Sequence, residues 1–454
     1  MIAVSETIGS LLPINLKSFT RAELREYFAD SWTLNDTLFR SLRKEQAFYL
    51  NPDPLRNPLI FYLGHTAAFY VNKLYAAGAL NQGVDSSVEK LFASGVDPET
   101  PAELEGALRG IAWPKPCEVW GYRAKCFDAV MDIIERVAIE LPVGPESPLW
   151  ALLMGIEHDR IHFETSSVLF RQLPAEFLRR PDEWRYAPTF GNPPRNEMIY
   201  VPGGTTRLGK PRDFPTYGWD NEYGHLDVKV APFYAGKYLV SNLEFLTFVE
   251  DGGYSERAYW DDESWAWRSA HRVTKPKFWV GARNEYRYRT LFEDVAMPWD
   301  WPVEVNHHEA SAYCRWKGNR TRLLTEAEWN VLAGARTDSE GAEYGDDPAF
   351  SRRYNLNLKF GSPCPVHMPK EAVSPLGCYD VLGNVWVWLS DRFGPLPGFK
   401  PHRLYDDFSV PFFDEKHSMM LGGSWATTGT GASRFYRLWF RRHFYQHAGF
   451  RVAS

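Results

Sequence analysis

The sequence predicts an α+β protein in two parts, a helical bundle followed by a loop-rich domain of short strands and helices. Three observations support this fold class. The chain has 454 residues, which is too long for one hydrophobic core. Residues 18–173 carry apolar side chains at helical spacings of three and four. After residue 197, short apolar runs alternate with Gly, Pro, Asn and Asp.

The first part contains four long helical patterns, and Pro, Asn and Gly fall between them. The patterns cover residues 20–42, 57–80, 116–140 and 147–173. Four such helices with connecting loops predict an up-and-down bundle over residues 1–180, in which a site is assembled from facing helices. Residues 181–197 are rich in Pro, Arg and Asn and are predicted to be a linker.

The second part, residues 198–454, is predicted to be a separate domain. Its apolar runs include "MIYVPGG", "HLDVKVAPFYAGKYLV" and "GFRVA". Two short helical patterns stand out, "SNLEFLTFVEDGG" and "TEAEWNVLAGAR", and long Trp-rich connections join the elements. Loops of that length in a compact domain are usually functional.

Composition excludes several classes of partner. The net charge of −6 and the lack of a long basic run argue against nucleic acid and anionic membranes. No run of about 18 apolar residues could cross a bilayer, and the N-terminus lacks the pattern of a signal peptide. The five cysteines are scattered without a CxxC pair, so we expect no disulfide framework and a cytoplasmic location. The sequence contains no feature that sets an oligomeric state.

The stretch "MGIEHDRIHFETSS" is the first indication of chemistry. Residues four apart share one helix face, so His158 and His162 can reach the same metal ion. Glu164 lies about 240° around the helix from His158 and suits a supporting role better than ligation. The best third ligand is His65, a lone histidine in the apolar helix "PLIFYLGHTAAFYV".

The residues alone leave the alternatives open. An HxxxH pair also occurs on solvated helix faces, and a lone buried histidine is often satisfied by a core hydrogen bond. Three neutral imidazoles suit Fe(II), Zn, Cu or Ni equally well.

Longer motifs then indicate a family. The first part resembles the metal-binding bundle of thiol-utilising DinB-like proteins. The second resembles the formylglycine-generating-enzyme (sulfatase-modifying-factor) domain, a variant of the C-type lectin fold, in "MIYVPGGTTRLGK", "RLLTEAEWNVLAG", "LGNVWVW", "GGSW" and "AGFRV". The two occur together, in this order, in the iron-dependent sulfoxide synthases of ergothioneine and ovothiol biosynthesis. "FPTYGWDNEYG" and "FRRHFYQHAGFRV" resemble the ovothiol branch, the 5-histidylcysteine sulfoxide synthases.

This resemblance implies an activity and a set of site residues. The ligands of Fe(II) would be His65, His158 and His162. The reaction would join the sulfur of L-cysteine to the imidazole of L-histidine and oxidise that sulfur with one O2. Tyr405 matches the tyrosine of the second domain that acts near the iron. The pair Arg441 and Arg442 resembles the arginines that bind the thiol substrate.

Departures from the family motifs leave a second acceptor substrate as an alternative. Ile161 stands where the ergothioneine branch usually has Gln, and Val387 replaces the acid of the usual "GNVWEW". Ile161 favours the ovothiol side, and the alternative is an ergothioneine-type enzyme acting on hercynine (trimethylhistidine) with cysteine or γ-glutamylcysteine. Many ovothiol enzymes also carry a methyltransferase domain; we expect no imidazole methylation from this chain.

Three rival functions remain. Formylglycine generation needs a cysteine pair late in the domain, whereas the last cysteine here is Cys378. A zinc-dependent thiol transferase would explain the bundle but leave the second domain without a task. A lectin-like binding module would use the Trp-rich surface, which a substrate pocket explains equally well.

Overall fold

The structure is a computed structural model, and it describes residues 8–93, 98–318, 320–335 and 348–454. The first seven residues of the N-terminal segment, in which no signal-peptide pattern was predicted, lie outside this set. No helix among the described residues is long and apolar enough to cross a membrane.

The described part of the first half is helical, and its four long helices are the four predicted from the sequence. Helices α1 and α2 each pack against α5 and α6. The helices are α1 (Arg21–Arg40), α2 (Leu59–Ala76), α3 (Ser86–Phe92), α4 (Pro101–Leu108), α5 (Pro116–Arg136) and α6 (Pro148–Arg171).

Local sequence sets the ends of these helices. Helix α1 begins with a capping box between Thr20 and Glu23, in which each side chain accepts a backbone hydrogen bond at the other's position. Helix α6 starts at Pro148, directly after Ser147, whose hydroxyl accepts from the backbone N–H of Leu149. The cap at Ser147 therefore fixes the start of α6, the helix that carries two of the candidate ligands.

The second half contains short strands in small sheets, with four α-helices between them in its described part. The strands are β1 (Met198–Val201), β2 (Gly204–Leu208), β3 (Leu226–Val230), β4 (Phe233–Gly236), β5 (Trp279–Val280), β6 (Arg287–Arg289), β7 (Asp294–Ala296), β8 (Arg322–Leu323), β9 (Trp386–Arg392), β10 (His417–Leu421), β11 (Leu438–Arg441), β12 (Ala448–Gly449) and β13 (Val452–Ala453). The helices are α7 (Asn242–Glu250), α8 (Asp262–Ala270), α9 (His307–Lys317) and α10 (Glu326–Leu332).

Two four-stranded sheets organise this half, in the orders β1-β4-β13-β8 and β11-β10-β9-β12. Their pairs are antiparallel except that β12 runs parallel to β9. Sequence patterns predicted α7 and α10 but missed α8 and α9. Helix α9 nevertheless carries a readable start signal, a capping box between Asn306 and Glu309.

Buried apolar side chains join the two halves. One cluster includes Phe28 and Phe163 of the bundle together with Trp386 and Trp425 of the second half. The predicted linker takes part, since Trp184 is 1% exposed and its indole N–H donates to the carbonyl of Gly361 at 2.8 Å. The predicted boundaries at residues 180 and 198 stay predictions, but residues near them are packed against this shared core.

Candidate metal centre and substrate cavity

The three histidines named from the sequence lie together between α2 and α6. His65 is on α2, and His158 and His162 are one turn apart on α6. One ring nitrogen from each lies within 4.8 Å of the others, and the Nε2 atoms of His158 and His162 are 3.1 Å apart. Two nitrogen ligands at right angles on one metal, each about 2.1 Å away, would lie roughly 3 Å apart.

Neighbouring groups hold the imidazole rings in place. The Nδ1 atom of His65 lies 2.7 Å from the carbonyl oxygen of Phe92, so a proton on Nδ1 leaves Nε2 as the ligand atom. The ring of Phe61 stacks on His65 at 4.8 Å. The ring of Phe69 stacks on His158 at 3.5 Å, with only 7° between the planes. These contacts restrict rotation of the imidazole rings, so less side-chain entropy would be lost when a metal ion binds.

Burial keeps the cluster neutral, as metal ligation requires. Loss of water lowers the pKa of His65 to about 4. Burial also lowers the pKa of His158 and of His162 well below the ordinary value, and the neighbouring histidines add to this. Three neutral imidazoles, each with one ring nitrogen unprotonated, therefore face one another at neutral pH.

The donor atoms fit a transition-metal ion. The Nδ1 atoms of His158 and His162 are buried and have no hydrogen-bond partner among the described residues, and their Nε2 atoms face each other. Buried ring nitrogens placed this close without other partners are costly unless something binds them. All-nitrogen ligation suits Fe(II), Zn, Cu or Ni, and His65, His158 and His162 would hold the ion.

A cavity of about 590 Å³ adjoins the cluster, within the usual range for small-molecule sites. His65 and His162 border it, and side chains of both halves line it. The aromatic part of the lining comprises Phe61, Tyr62, Phe69, Tyr405, Phe408, Phe412, Tyr436, Trp439, Phe440, Phe444 and Tyr445. The high aromatic content of the sequence is thus concentrated in part around this cavity.

Tyr405 lies beside the histidines, although it is some 240 residues from the nearest of them in the chain. Its ring centroid is 5.2 Å from that of Phe69 and 6.2 Å from that of His158. The ammonium of Lys73 sits 4.1 Å over the same ring. Burial raises the pKa of Tyr405 above its ordinary value, so the phenol keeps its proton and can donate it in a hydrogen bond.

Neither member of the predicted arginine pair is among the residues that line the cavity. Arg441 donates to the carbonyl of Pro98 at 2.6 Å, and Arg442 pairs with Glu263 at 3.0 Å. Their assignment to the thiol substrate stays a prediction. The lining instead contains Arg56 and Lys73, which were not predicted from the sequence. Lys73 was detectable, because His65, Phe69 and Lys73 follow one another at intervals of four on α2.

The three remaining positions singled out in the sequence have distinct surroundings. Glu164 is not one of the clustered ligands; its carboxylate accepts the indole N–H of Trp386 at 2.7 Å. Ile161 lines the cavity next to His162. Val387 is 1% exposed in a second apolar core of the C-terminal half. A carboxylate at position 387 would be buried there.

Residues 186–454 match the family model of the sulfatase-modifying factor enzyme 1-like domain. Over 423 residues the chain is 31% identical to hercynine oxygenase of Mycolicibacterium thermoresistibile, with 88% of each chain covered. The chain belongs to the sulfoxide synthase family of ergothioneine and ovothiol biosynthesis. The predicted family is confirmed at this level, and so is the expectation of an oxidoreductase.

Two further relatives match this chain over different lengths. Ergothioneine biosynthesis protein 1 of Neurospora crassa is 25% identical over 528 residues, which cover all of this chain and 60% of that protein. The formylglycine-generating enzyme of Thermomonospora curvata is 31% identical over 225 residues, 43% of this chain and 71% of that enzyme. The match to the formylglycine-generating enzyme is thus the shorter one, while the likeness to hercynine oxygenase extends over both halves of the chain.

Proposed function

We propose that the chain is an iron- and O2-dependent sulfoxide synthase that joins the sulfur of a cysteine thiol to the imidazole of a histidine derivative. The observation that carries this proposal is the cluster of three neutral histidines, two of them buried and His162 half-buried, beside an aromatic cavity. Family membership and the helical arrangement support it. We assign the bundle, with ligands on facing helices, to the DinB-like class.

The stoichiometry of the proposed reaction balances without another reductant. Thiol, imidazole C–H and O2 give the sulfoxide and one water. Formation of the C–S bond removes two electrons from the substrates, and oxidation of the sulfur removes two more, so one O2 accepts four. Bound iron would supply the site that holds the thiolate and reduces O2. The protein's own task is to orient the substrates and to exclude competing thiol oxidation.

Named residues of the cavity can perform that task. The phenol of Tyr405 is protonated and close to His158, so it can donate a hydrogen bond or a proton to oxygen at the site. The substrates carry carboxylates, and the cations that line the cavity are Arg56 and Lys73. Much of the lining is aromatic, and displacement of water by the bound substrates would strengthen both interactions.

For the acceptor we propose hercynine first. Hercynine oxygenase and ergothioneine biosynthesis protein 1 support it, and the lining includes the aromatic rings of Phe408, Tyr436 and Trp439, a residue type that binds trimethylammonium groups by cation–π contact. L-Histidine, the acceptor of the ovothiol branch, is the second candidate. Ile161 in the lining supports it, and so does Asp407, whose carboxylate suits a primary ammonium group.

The test of the reaction starts from metal-free protein loaded anaerobically with Fe(II). With cysteine or γ-glutamylcysteine, an acceptor and O2, we expect one O2 consumed per sulfoxide formed, measured by oxygen electrode and mass spectrometry. His65→Ala should lose iron and activity, whereas the control His225→Ala, at an exposed histidine, should keep both. Oxygen uptake no greater than that of metal-free protein would contradict the proposal. Turnover with Zn(II) in the absence of O2 would favour a thiol transferase.

A competition assay decides between the acceptors. Hercynine and L-histidine are offered at equal concentrations with one thiol, and the two sulfoxides are quantified in the same sample. We expect the hercynine product to dominate. A predominant histidine product would transfer the assignment to the ovothiol branch and leave the reaction type unchanged.

A further inference from the structure

Helix α6 carries a stripe of buried polar residues on a face different from that of its two histidines. Their spacing of three and four residues aligns them along the helix. Each has at most 8% of its surface exposed, so each needs partners that replace water. The stripe consists of Glu157, Arg160, Glu164, Ser167 and Arg171.

Glu164 is the central member, and its described partners all belong to the second half. The indole N–H of Trp386 donates to Oε1 at 2.7 Å. The hydroxyl of Thr427 lies 2.9 Å from Oε1 and 2.8 Å from Oε2, and the hydroxyl of Ser424 donates to Oε1 as well. A carboxylate with several donors in a buried setting is a strong, directional contact. It fixes one side of α6 to the loops around β9 and β10.

The ends of the stripe make contacts of the same kind. Glu157 accepts from the backbone N–H of Thr430 at 2.8 Å and from its hydroxyl at 2.7 Å. Near the other end, the guanidinium of Arg171 contacts the buried carboxylate of Glu304 at 2.7 Å. Three points spaced seven residues apart are thus held by the second half, which prevents the helix from rolling about its axis.

The histidines lie across the helix from this attachment. At about 100° per residue, Glu164 is roughly 160° from His162 and 120° from His158. A roll of about 10° would move an atom 6 Å from the axis by about 1 Å. That displacement is large compared with the tolerance of a metal site for its ligands.

We infer that Glu164 is a positioning residue that lets the second domain set the orientation of His158 and His162. The residue itself touches neither substrate nor metal, and it acts through the rotation of α6. The inference rests on the proposed function, because it takes the three histidines to be metal ligands. It also gives the second domain a task at the metal centre besides supplying part of the cavity.

The test measures metal binding rather than turnover. Metal-free wild type and Glu164→Gln are titrated with Co(II), and the visible absorption spectrum and the dissociation constant are recorded. The amide keeps the size of the side chain but turns an NH2 group toward donors. We expect a shifted spectrum and about 10- to 100-fold weaker Co(II) binding. The matched control is Glu328→Gln, a largely buried carboxylate whose partners Arg322 and Thr325 lie within the second domain.

The outcomes separate positioning from simple stabilisation. A lower unfolding temperature with wild-type spectrum and affinity would overturn the inference and leave the proposed function intact. If Glu164→Gln does not fold, Ser424→Ala, which removes one donor, decides by the same two readouts with a smaller expected loss. Wild type that fails to bind Co(II) would overturn both the inference and the proposed metal site.

Discussion

Gly155 lies where α2 and α6 approach each other, and its replacement by alanine tests how tightly the two helices that carry the proposed ligands are packed. A Cβ atom at this position would lie 2.3 Å from Cδ1 and 2.6 Å from Cε1 of Tyr70. The ring of Tyr70 is fully buried and packs against Phe28 and Trp32, so it has no free space to enter. The helices would have to separate by about 1 Å for an ordinary contact.

The expected free-energy change has two opposing parts. Replacement of Gly by Ala in a helix stabilises it by about 1 kcal/mol when nothing else changes. Overpacking of a filled core costs about 1–3 kcal/mol. Gly155→Ala should therefore be neutral to about 2 kcal/mol destabilised. Gly121→Ala on α5 is the matched control, since no atom lies within 4 Å of its Cβ position, and it should be stabilised by about 1 kcal/mol.

Urea unfolding of both variants, followed by tryptophan fluorescence, measures the difference. We expect the free energy of unfolding of Gly155→Ala to lie about 1–3 kcal/mol below that of Gly121→Ala. Separation of the helices should also weaken Co(II) binding, because His158 follows Gly155 by one turn and His65 is on the opposing helix. Equal stabilisation of the two variants would show that the α2–α6 contact is looser than the structure indicates.

Three further results are expected. Tyr405→Phe should shift the product from sulfoxide toward oxidised cysteine, and an unchanged product ratio by mass spectrometry would remove Tyr405 from the chemistry. Lys73→Met should raise the KM of a carboxylate substrate by about 10-fold with little change in kcat; an unchanged KM would contradict its role as an anchor. Burial lowers the pKa of His307 to about 4, so the unfolded chain takes up a proton first as pH falls below about 6.5. Stability is therefore lost between pH 6.5 and pH 4, and His307→Gln should reduce the loss between pH 7 and pH 5 by about 2 kcal/mol in urea titrations; the same pH dependence in both proteins would refute this.

Most of the helical part was predictable from the sequence, because long amphipathic helices with Pro and Ser at their starts carry local signals. Helices α8 and α9 were missed, since short helices between Trp-rich loops show little apolar periodicity. The packing of the linker was not predictable either. The segment around Trp184 is polar and Pro-rich, and only the surrounding side chains bury it.

The residues of the candidate site likewise divide into those that the sequence predicted and those that it did not. The HxxxH spacing predicted that His158 and His162 share a face, and the isolated polar character of His65 in an apolar helix marked it as the candidate third ligand. Arg56 could not be predicted as a cavity residue, because no local sequence pattern relates it to a cavity formed by segments far apart in the chain. The family-like motif around Arg441 and Arg442 did not reveal that both side chains have partners away from the cavity lining, and their assignment to the substrate stays a prediction.

The sequence by itself determined the two-part α+β organisation, the family, and three histidines at spacings that a metal can use, because these properties depend on local periodicity and on long motifs. Only the tertiary structure decided which groups surround the histidines, because those groups come from segments far apart in the chain. It brought the ring of Tyr405 to 5.2 Å from that of Phe69 and directed Glu164 away from the cluster into hydrogen bonds with the second half. Burial in that shared interior, which no local pattern encodes, is also what keeps the imidazoles neutral.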